Sequence, residues 1–237
     1  MSNICWMAFV ANNSSNDLLV SKSSNRLNWS DSTQIGQASK DAPSLSVFNN
    51  ELWVAFVNNS SNDLLVSKSS DGISWSANTQ IGQASKCAPS LTVFNNELWV
   101  AFVVNNDTND LLVSKSSNGL NWSANTQIGQ ASKYAPSLAV FNNELWVAFV
   151  ANNDTNDLLV SKSSDGISWS ANIQIGQASK YAPSLTVFNN QLLVAFVANN
   201  SSNDLLVSKS SDGISWSANK QVGQESKYAP SLCIKNQ

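Results

Sequence analysis

Short apolar runs separated by polar turns recur along the whole chain. In ELWVAFV, residues 51–57, positions 52, 54 and 56 alternate with positions 53, 55 and 57, and all six are apolar. The neighbouring runs APSLSVFNN, DLLVSKS and ISWSANTQIG have similar lengths and are rich in valine, leucine, isoleucine and aromatic residues. Such runs predict β-strands, and no period of 3.6 residues indicates a helix.

The turns between these runs predict antiparallel hairpins. Asn-Asn separates the first and second runs of each unit, and asparagine tolerates the positive φ that a two-residue hairpin requires. Asp-Gly separates the third and fourth runs in most units and is a strong hairpin signal. In the first unit Asn25-Arg26 replaces Asp-Gly, which predicts a looser turn there.

The four runs form a unit that recurs about every 47 residues and fills the chain. The tag NDLLVSK that marks each unit begins at Asn16, Asn62, Asn109, Asn156 and Asn203. A repeated four-stranded antiparallel unit of this length predicts a β-propeller blade, and strands that are apolar on both faces suit sheets stacked against their neighbours. We therefore expect an all-β, five-bladed β-propeller, with four antiparallel strands per blade, forming a single domain over residues 1–237.

The two ends of the chain predict how this propeller closes. ICWMAFV from Ile4 matches ELWVAFV from Glu51, and APSLCIKNQ from Ala229 matches APSLSVFNN from Ala42. The N- and C-terminal strands should therefore share one blade and close the ring. We expect a monomer or a small homo-oligomer.

Composition excludes several classes of partner. Of 237 residues only 12% are charged, and a net charge of −3 gives no basic surface for nucleic acid. No apolar run approaches the length that spans a bilayer, so membrane insertion is not expected. The beginning of the chain has no signal-peptide pattern, which predicts a protein that is cytoplasmic or released without a conventional signal peptide. Cys5, Cys87 and Cys233 have no motif spacing and are interpreted as reduced thiols.

The sequence argues against catalysis. It contains no histidine and a single arginine, Arg26, which removes histidine-dependent acid–base chemistry and the arginine cluster of sialidases. The recurring aspartates are copies, whereas an enzyme needs one asymmetric constellation. The motif NNDTND at Asn105 and Asn152 is too poor in acids for a calcium loop. We expect no enzyme activity, no metal and no cofactor.

Strand direction places the two longer connections of each unit on one face. The loop between the second and third runs carries Asn-Asp, and the connection into the next unit carries Lys followed by a variable residue. Amides and carboxylates can bind paired sugar hydroxyls, and a tyrosine ring can stack on a pyranose. The candidate sugar-binding residues are Asn16, Asp17, Asn62, Asp63, Asn109, Asp110, Asn156, Asp157, Asn203, Asp204, Lys133, Tyr134, Lys180, Tyr181, Lys227 and Tyr228.

These residues also have structural interpretations. The asparagines and aspartates could only close turns, and the lysines could simply be solvated. If tyrosine stacking matters, sites near Tyr134, Tyr181 and Tyr228 should bind better than those near Asp41 and Cys87. The tryptophans of the second and fourth runs fit packing between blades. If those of the fourth run were instead sugar platforms, the binding face would be the opposite one. The fourth-run tryptophans are Trp29, Trp75, Trp122, Trp169 and Trp216.

The repeated sequence pattern APSLxVFNNELWVAF…SSDGISWS resembles that of short-bladed propeller lectins of bacteria and fungi. The number and length of the units resemble five-bladed tachylectin-type lectins, although the tachylectin blade motifs are absent. SSDGISW is similar to a shortened Asp-box, a structural turn of sialidase-type propellers. The resemblance implies simple sugars, such as N-acetylhexosamines or fucose, bound at or between blades.

Together these features favour a multivalent, non-catalytic lectin with up to five equivalent sites for mono- or oligosaccharides of glycoconjugates. Several weak sites that face the same way would gain strength by avidity. The alternative is a protein-binding propeller scaffold, whose face would be expected to vary from blade to blade.

Overall fold

The computed structural model describes residues 4–223 and 225–232, and this part of the chain contains strands, turns and no helix. The strands form five antiparallel sheets in which neighbours along the chain pair. The protein is therefore an all-β, five-bladed β-propeller, as the repeat predicts. No helix within these described ranges is long and apolar enough to cross a membrane.

Each sheet corresponds to one repeat. The first holds β1 (Cys5–Val10), β2 (Leu18–Ser23) and β3 (Thr33–Gln34). The second holds β4 (Ser44–Phe48), β5 (Glu51–Val57), β6 (Leu64–Ser69) and β7 (Thr79–Gln80). The third holds β8 (Ser90–Phe94), β9 (Glu97–Val103), β10 (Leu111–Ser116) and β11 (Thr126–Gln127). The fourth holds β12 (Ser137–Phe141), β13 (Glu144–Val150), β14 (Leu158–Ser163) and β15 (Ile173–Gln174). The fifth holds β16 (Ser184–Phe188), β17 (Gln191–Val197), β18 (Leu205–Ser210) and β19 (Lys220–Gln221).

The chain divides into two compact units. The first comprises Met1–Val100 with Ser114–Ala124, and the second comprises Ala101–Val113 with Asn125–Gln237. The first two sheets lie in the first unit, and the last two lie in the second. The prediction of a single domain stays a prediction.

Within the second unit, neighbouring sheets bury opposite faces against each other. Trp146, Ala148 and Val150 of β13 share one hydrophobic cluster with Val194 and Phe196 of β17. Because side chains alternate along a strand, the residues that β13 contributes occupy the face opposite to those that β17 contributes. The first unit repeats this arrangement, in which Trp6 and Ala8 pack with Val54 and Phe56. This packing explains why the second strand of each sheet is apolar on both faces.

The predicted hairpins between the first two strands are confirmed. Asn49 and Asn50 have φ values of 50° and 61°, and the Asn-Asn pairs of the next three sheets are also left-handed. The turn in the first repeat, predicted to be looser, is instead the same turn as in the other repeats. Arg26 adopts φ 64°, and the Asn25 side chain accepts the N–H groups of Leu27 at 3.0 Å and Asn28 at 2.8 Å. An asparagine oxygen can hold this turn as an aspartate does, so the prediction was wrong.

The fourth strand is much shorter than the run ISWSANTQIG predicts. In the second sheet only Thr79–Gln80 is a strand, paired with Leu65 and Val66. Before it, one backbone bond remains, from the Ser76 N–H to the Lys68 carbonyl. Side chains provide the other bonds: Asp71 Oδ1 accepts the N–H groups of Ile73 and Ser74, and Ser76 Oγ accepts the N–H of Lys68. Serine and aspartate compete with strand pairing in this way.

The predicted closure through the chain ends lies mainly outside the described residues, because 1–3 and 233–237 belong to those ends. The last described residue, Leu232, donates its N–H to Ser184 Oγ at 2.9 Å. Leu91 and Leu185 make the same bond to Ser44 and Ser137. Leu232 therefore has the same position relative to β16 that Leu91 and Leu185, the second residues of β8 and β16, have relative to β4 and β12.

The aspartates of the turn between the third and fourth strands have lowered pKa values. The N–H groups of Ser215 and Ile214 lower the pKa of the Asp212 carboxyl from 3.8 to about 2, and similar bonds lower the pKa values of Asp71 and Asp165. A carboxyl whose pKa falls on folding stabilises the folded state above its unfolded pKa and loses that contribution as the pH drops. The contribution of Asp212 should therefore disappear between pH 3.8 and about pH 2, and those of Asp71 and Asp165 should fall as the pH drops below 3.8.

We expect the triple replacement of Asp71, Asp165 and Asp212 by asparagine to flatten this acid dependence and to lower stability at neutral pH, because an amide oxygen accepts these N–H groups without the negative charge that strengthens the bonds of a carboxylate. Asn118 already accepts the equivalent N–H groups of Leu120 and Asn121 in the third sheet. Thermal melts from neutral pH to about pH 2 would measure the effect. A triple variant that loses stability in acid as steeply as the unchanged protein would contradict this account.

Candidate functional site

The aspartates of the Asn-Asp loops hold their own repeat together. Asp17 accepts Gln34 Nε2 at 3.0 Å on one oxygen and Asn13 Nδ2 at 2.9 Å on the other. Each of the other four aspartates likewise accepts the glutamine of its last strand on one oxygen and a polar side chain of its own loop on the other. These carboxylates are Asp63, Asp110, Asp157 and Asp204. Much of their hydrogen-bonding capacity is therefore used within the fold.

The asparagines before these aspartates meet the lysines of the preceding connection. Lys40 Nζ donates to Asn62 Oδ1 at 2.8 Å, and Lys133 Nζ donates to Asn156 Oδ1 at 2.7 Å. Lys180 donates to Asn203 in the same way. All five asparagines have positive φ, between 53° and 61°. The structure therefore brings two of the predicted lysines, Lys133 and Lys180, to the predicted asparagines Asn156 and Asn203, whereas the aspartates bond elsewhere.

The tyrosines lie beneath their own lysines. The ammonium groups of Lys133, Lys180 and Lys227 lie 6.0, 5.9 and 5.5 Å from the ring centres of the tyrosines that follow them. The rings of Tyr134 and Tyr181 also contact each other, with centres 6.4 Å apart. These two rings are half-buried, whereas Tyr228 is 69% exposed. Tyr134 and Tyr181 are therefore neighbours rather than separate platforms.

In the first unit the same variable position holds Asp41 and Cys87. Burial raises the pKa of the Asp41 carboxyl, while Lys40 lowers it. Burial also raises the pKa of the Cys87 thiol, and the negative charge of Asp41 raises it further. Cys5 and Cys87 are free thiols, while Cys233 lies outside the described residues.

The loop of the second repeat is one residue shorter than the others, and a cavity of about 310 Å³ adjoins it. Asn58 stands where the other repeats have Ala11, Val104, Ala151 and Ala198. Its side chain donates to Gln37 and accepts the N–H of Ser60 at 2.8 Å, so its amide is used to close the loop.

A second cavity of about 260 Å³, which we call the first groove, lies between the first and second sheets near the Asp-Gly turn. It is lined by Trp6, Val20, Ser21, Lys22, Ser30, Asp31, Thr33, Gly72 and Ile73. Its volume lies near the lower end of the range for ligand pockets, about 300 Å³. An indole, an ammonium, a carboxylate, hydroxyls and an aliphatic side chain thus border one small cavity.

The architecture of the two sheets positions these groups. Trp6 on β1 lies against Gly72 in the Asp-Gly turn of the next sheet, and Lys22 Nζ lies 5.3 Å from the Trp6 ring centre. Ser30 Oγ accepts the N–H of Lys22 at 3.1 Å, and this bond holds the segment that precedes β3 beside β2. Ile73 is 59% exposed at the rim.

Sequence reasoning missed the first groove because its two walls come from different repeats. It considered the fourth-run tryptophans as sugar platforms, but Trp122 and Trp216 donate their indole N–H groups to Gly119 and Gly213 of their own turns. The tryptophan that borders the groove, Trp6, belongs to the set interpreted as core. The signal that could have found the groove is Asp31, where the other repeats have alanine.

The described residues contain no group of three histidine, cysteine or carboxylate side chains that could hold a metal ion. The first groove has a single carboxylate, Asp31. Glycoside hydrolysis ordinarily uses a pair of carboxyl groups flanking the scissile bond. The groove is therefore chemically suited to holding a polar ligand through hydrogen bonds.

Comparison with known proteins supports the fold. No family model matches the chain, and no curated sequence matches it. Among solved structures, the BP39L lectin of Burkholderia pseudomallei has a TM-score of 0.72 at 18% identity, over 94% of this chain and 70% of the lectin.

Enzymes share this architecture too. A Hadza microbial sialidase has a TM-score of 0.68 at 16% identity over 91% of this chain, which spans 55% of the sialidase. An α-L-arabinofuranosidase from Fusarium graminearum, in complex with an iminosugar inhibitor, has a TM-score of 0.62 at 15% identity, over 91% of this chain and 76% of the enzyme. At these identities the similarity establishes the propeller fold alone.

Proposed function

We propose that this protein is a non-catalytic, multivalent lectin that binds simple sugars such as N-acetylhexosamines or fucose. The observation that carries the proposal is the first groove, where Trp6, Lys22 and Asp31 border a cavity of about 260 Å³. An indole offers an apolar surface to the C–H face of a pyranose, while charged donors and acceptors bind its hydroxyls strongly.

Equivalent residues recur in other repeats, which supports several sites. Trp53 lies against Gly119 with Lys68 5.4 Å from its ring centre. Trp146 lies against Gly213 with Lys162 5.3 Å from its ring centre. Sites repeated on a rigid scaffold would bind a glycan-coated surface by avidity even if each were weak.

Absence of catalysis is part of the proposal. A glycosidase acid needs a raised pKa and a second carboxylate across the scissile bond. The first groove is lined by the single carboxylate Asp31 and therefore lacks this pair. Incubation of the protein with the sugars it binds should leave them unchanged by chromatography.

The lysine–tyrosine–asparagine clusters on the other face remain the alternative sugar site. They comprise Lys133, Tyr134 and Asn156 in one case, and Lys180, Tyr181 and Asn203 in another. Their lysines already donate hydrogen bonds to the asparagine side chains, so a sugar would compete with these hydrogen bonds within the protein. This competition favours the groove.

A glycan array followed by calorimetry, with one variant on each face, tests the proposal. Trp6→Leu removes the indole from the first groove, and the fold tolerates leucine here since Leu193 occupies this position in β17. Tyr181→Ala removes a ring from the opposite face. We expect the wild-type protein to bind arrayed glycans, and free monosaccharide should compete with this binding. Trp6→Leu should lose about tenfold in affinity at one site, whereas Tyr181→Ala should bind as the wild type does. The reverse pattern would move the site to the clusters.

The second candidate function is a protein-binding scaffold. Each sheet exposes an aliphatic residue directly after the turn between its third and fourth strands, and exposed apolar residues can contact a partner protein. Leu27 is 84% exposed, and Ile73, Leu120, Ile167 and Ile214 are between 59% and 64% exposed. An array without hits, combined with a partner protein whose binding is lost when Ile167 and Ile214 are replaced by serine, would support the scaffold.

A further inference from the structure

The first groove differs from three of its counterparts in the ion pairing of its lysine. Lys68, Lys115 and Lys162 each donate to a glutamate of the adjacent strand at 2.9 Å. In the first repeat the position of these glutamates holds Ile4, which cannot accept a hydrogen bond through its side chain. Within residues 4–223 and 225–232, Lys22 takes part in no ion pair.

The first groove also carries a carboxylate that its counterparts lack. Asp31 replaces an alanine that the other four repeats share, Ala77, Ala124, Ala171 and Ala218. Asp31 and Lys22 line the same cavity but do not form an ion pair with each other. An ammonium and a carboxylate therefore border one small space, and neither is neutralised by another side chain of the described part of the chain.

We propose that the first groove is the principal binding site, distinct from the others, and that it selects a neutral sugar with adjacent hydroxyl groups. This inference rests on the proposed lectin function. Lys22 donates to one hydroxyl oxygen, Asp31 accepts from the neighbouring hydroxyl, and Trp6 contacts the apolar face of the ring.

Charge explains both the affinity and the selectivity. Hydrogen bonds to ionised groups are stronger than those between neutral groups, and a lysine already bonded to glutamate offers a sugar less. The negative charge of Asp31 disfavours sialic acids and uronic acids, which carry a carboxylate. A neutral pyranose can form hydrogen bonds with both charged groups through neighbouring hydroxyls.

Calorimetry on the full chain tests this inference with four probes: methyl α-L-fucoside, methyl α-D-mannoside, methyl β-D-galactoside and methyl N-acetyl-β-D-glucosaminide. For the probe that binds, wild type should show one tight site and additional weaker sites. Asp31→Ala and Asp31→Asn should each weaken the tight site by about tenfold, and Lys22→Gln should do the same. Alanine is native at this position in four repeats, so the Ala variant should fold, and the isosteric Asn variant guards against a packing effect.

A reciprocal variant provides the matched control. Glu51→Gln combined with Ala77→Asp frees Lys68 and installs the carboxylate in the next groove, and glutamine is native at the first of these positions as Gln191. We expect a second tight site in this variant and none in Ala77→Asp alone, where Lys68 keeps its partner.

The outcomes separate the two proposals. Wild-type binding through one class of equal sites, unaffected by Asp31→Asn, would overturn the principal site and leave the lectin standing. Tighter binding of methyl glucuronide than of the neutral probes would overturn the selectivity. Failure of wild type to bind any arrayed glycan or probe would overturn the lectin itself, and with it this inference.

Discussion

Gly72→Ala is expected to destabilise the protein by about 3 kcal/mol or more and to eliminate binding in the first groove. A Cβ atom at Gly72 would lie 1.9 Å from Cη2 and 2.1 Å from Cζ3 of Trp6. The indole would have to move, and it forms one wall of the groove. The Asp-Gly turn is thus required for packing between sheets as well as for the turn itself.

Two separate effects lower the free energy of unfolding of Gly72→Ala. Gly72 has φ 71°, and an alanine in the left-handed region costs roughly 1–2 kcal/mol. Overpacking a rigid neighbour costs about 1–3 kcal/mol more. For a chain of this length the sum corresponds to a fall in melting temperature of roughly 10 °C, which calorimetry or circular dichroism would measure.

Gly223→Ala separates the two costs. Gly223 has φ 60°, but no atom of residues 4–223 and 225–232 is recorded within 4 Å of the Cβ that alanine would add. This control should therefore lose only the backbone contribution, about 1–2 kcal/mol. Equal losses in Gly72→Ala and Gly223→Ala would show that the contact with Trp6 is unimportant.

Combining Gly72→Ala with Trp6→Leu should relieve the clash. The double variant should lose less stability than the sum of the two single variants, because leucine leaves space for the new methyl group. The fifth repeat, with Leu193 in β17, shows that a propeller strand accepts leucine at this position. Additive losses would contradict the steric explanation.

The fold was predictable because the same pattern of apolar runs and turns occurs in each of the five repeats. Alternation in ELWVAFV required a sheet buried on both faces, and β5 and β13 are buried in this way. The Asn-Asn hairpins followed from the backbone preference of asparagine alone. The length of the fourth strand was overestimated. Asp71 and Ser76 accept backbone N–H groups with their side chains where a longer strand would pair through its backbone, and a hydrophobic pattern does not reveal this competition.

The candidate site was less predictable because its contacts join distant residues. That Asp17 bonds Gln34 rather than a ligand depends on the pairing of β2 with β3, which places Leu19 opposite Gln34. The first groove requires Trp6 and Gly72 to meet across two repeats. The sequence indicates which polar and aromatic residue types are present, but only the arrangement of the sheets decides which of them face solvent together.

Phe196→Ala should be among the most destabilising single substitutions, at about 4 kcal/mol. Phe196 on β17 is fully buried in the cluster where the fifth sheet packs on the fourth, beside Ala148 and Val150 of β13. Removing the ring deletes buried apolar surface and leaves a cavity between two sheets whose backbones are fixed by their own hydrogen bonds, so the space cannot collapse fully.

Phe188→Ala in the same sheet is the matched control, since Phe188 is 47% exposed and its removal opens no enclosed cavity. Urea denaturation should place the midpoint of Phe196→Ala well below that of Phe188→Ala, whose loss should be about 1 kcal/mol. If the two variants were equally stable, face-to-face packing of the sheets would not be what holds them together. Because Trp146 belongs to the same cluster as Phe196, such a result would also remove the physical basis for a rigid tryptophan wall in the grooves.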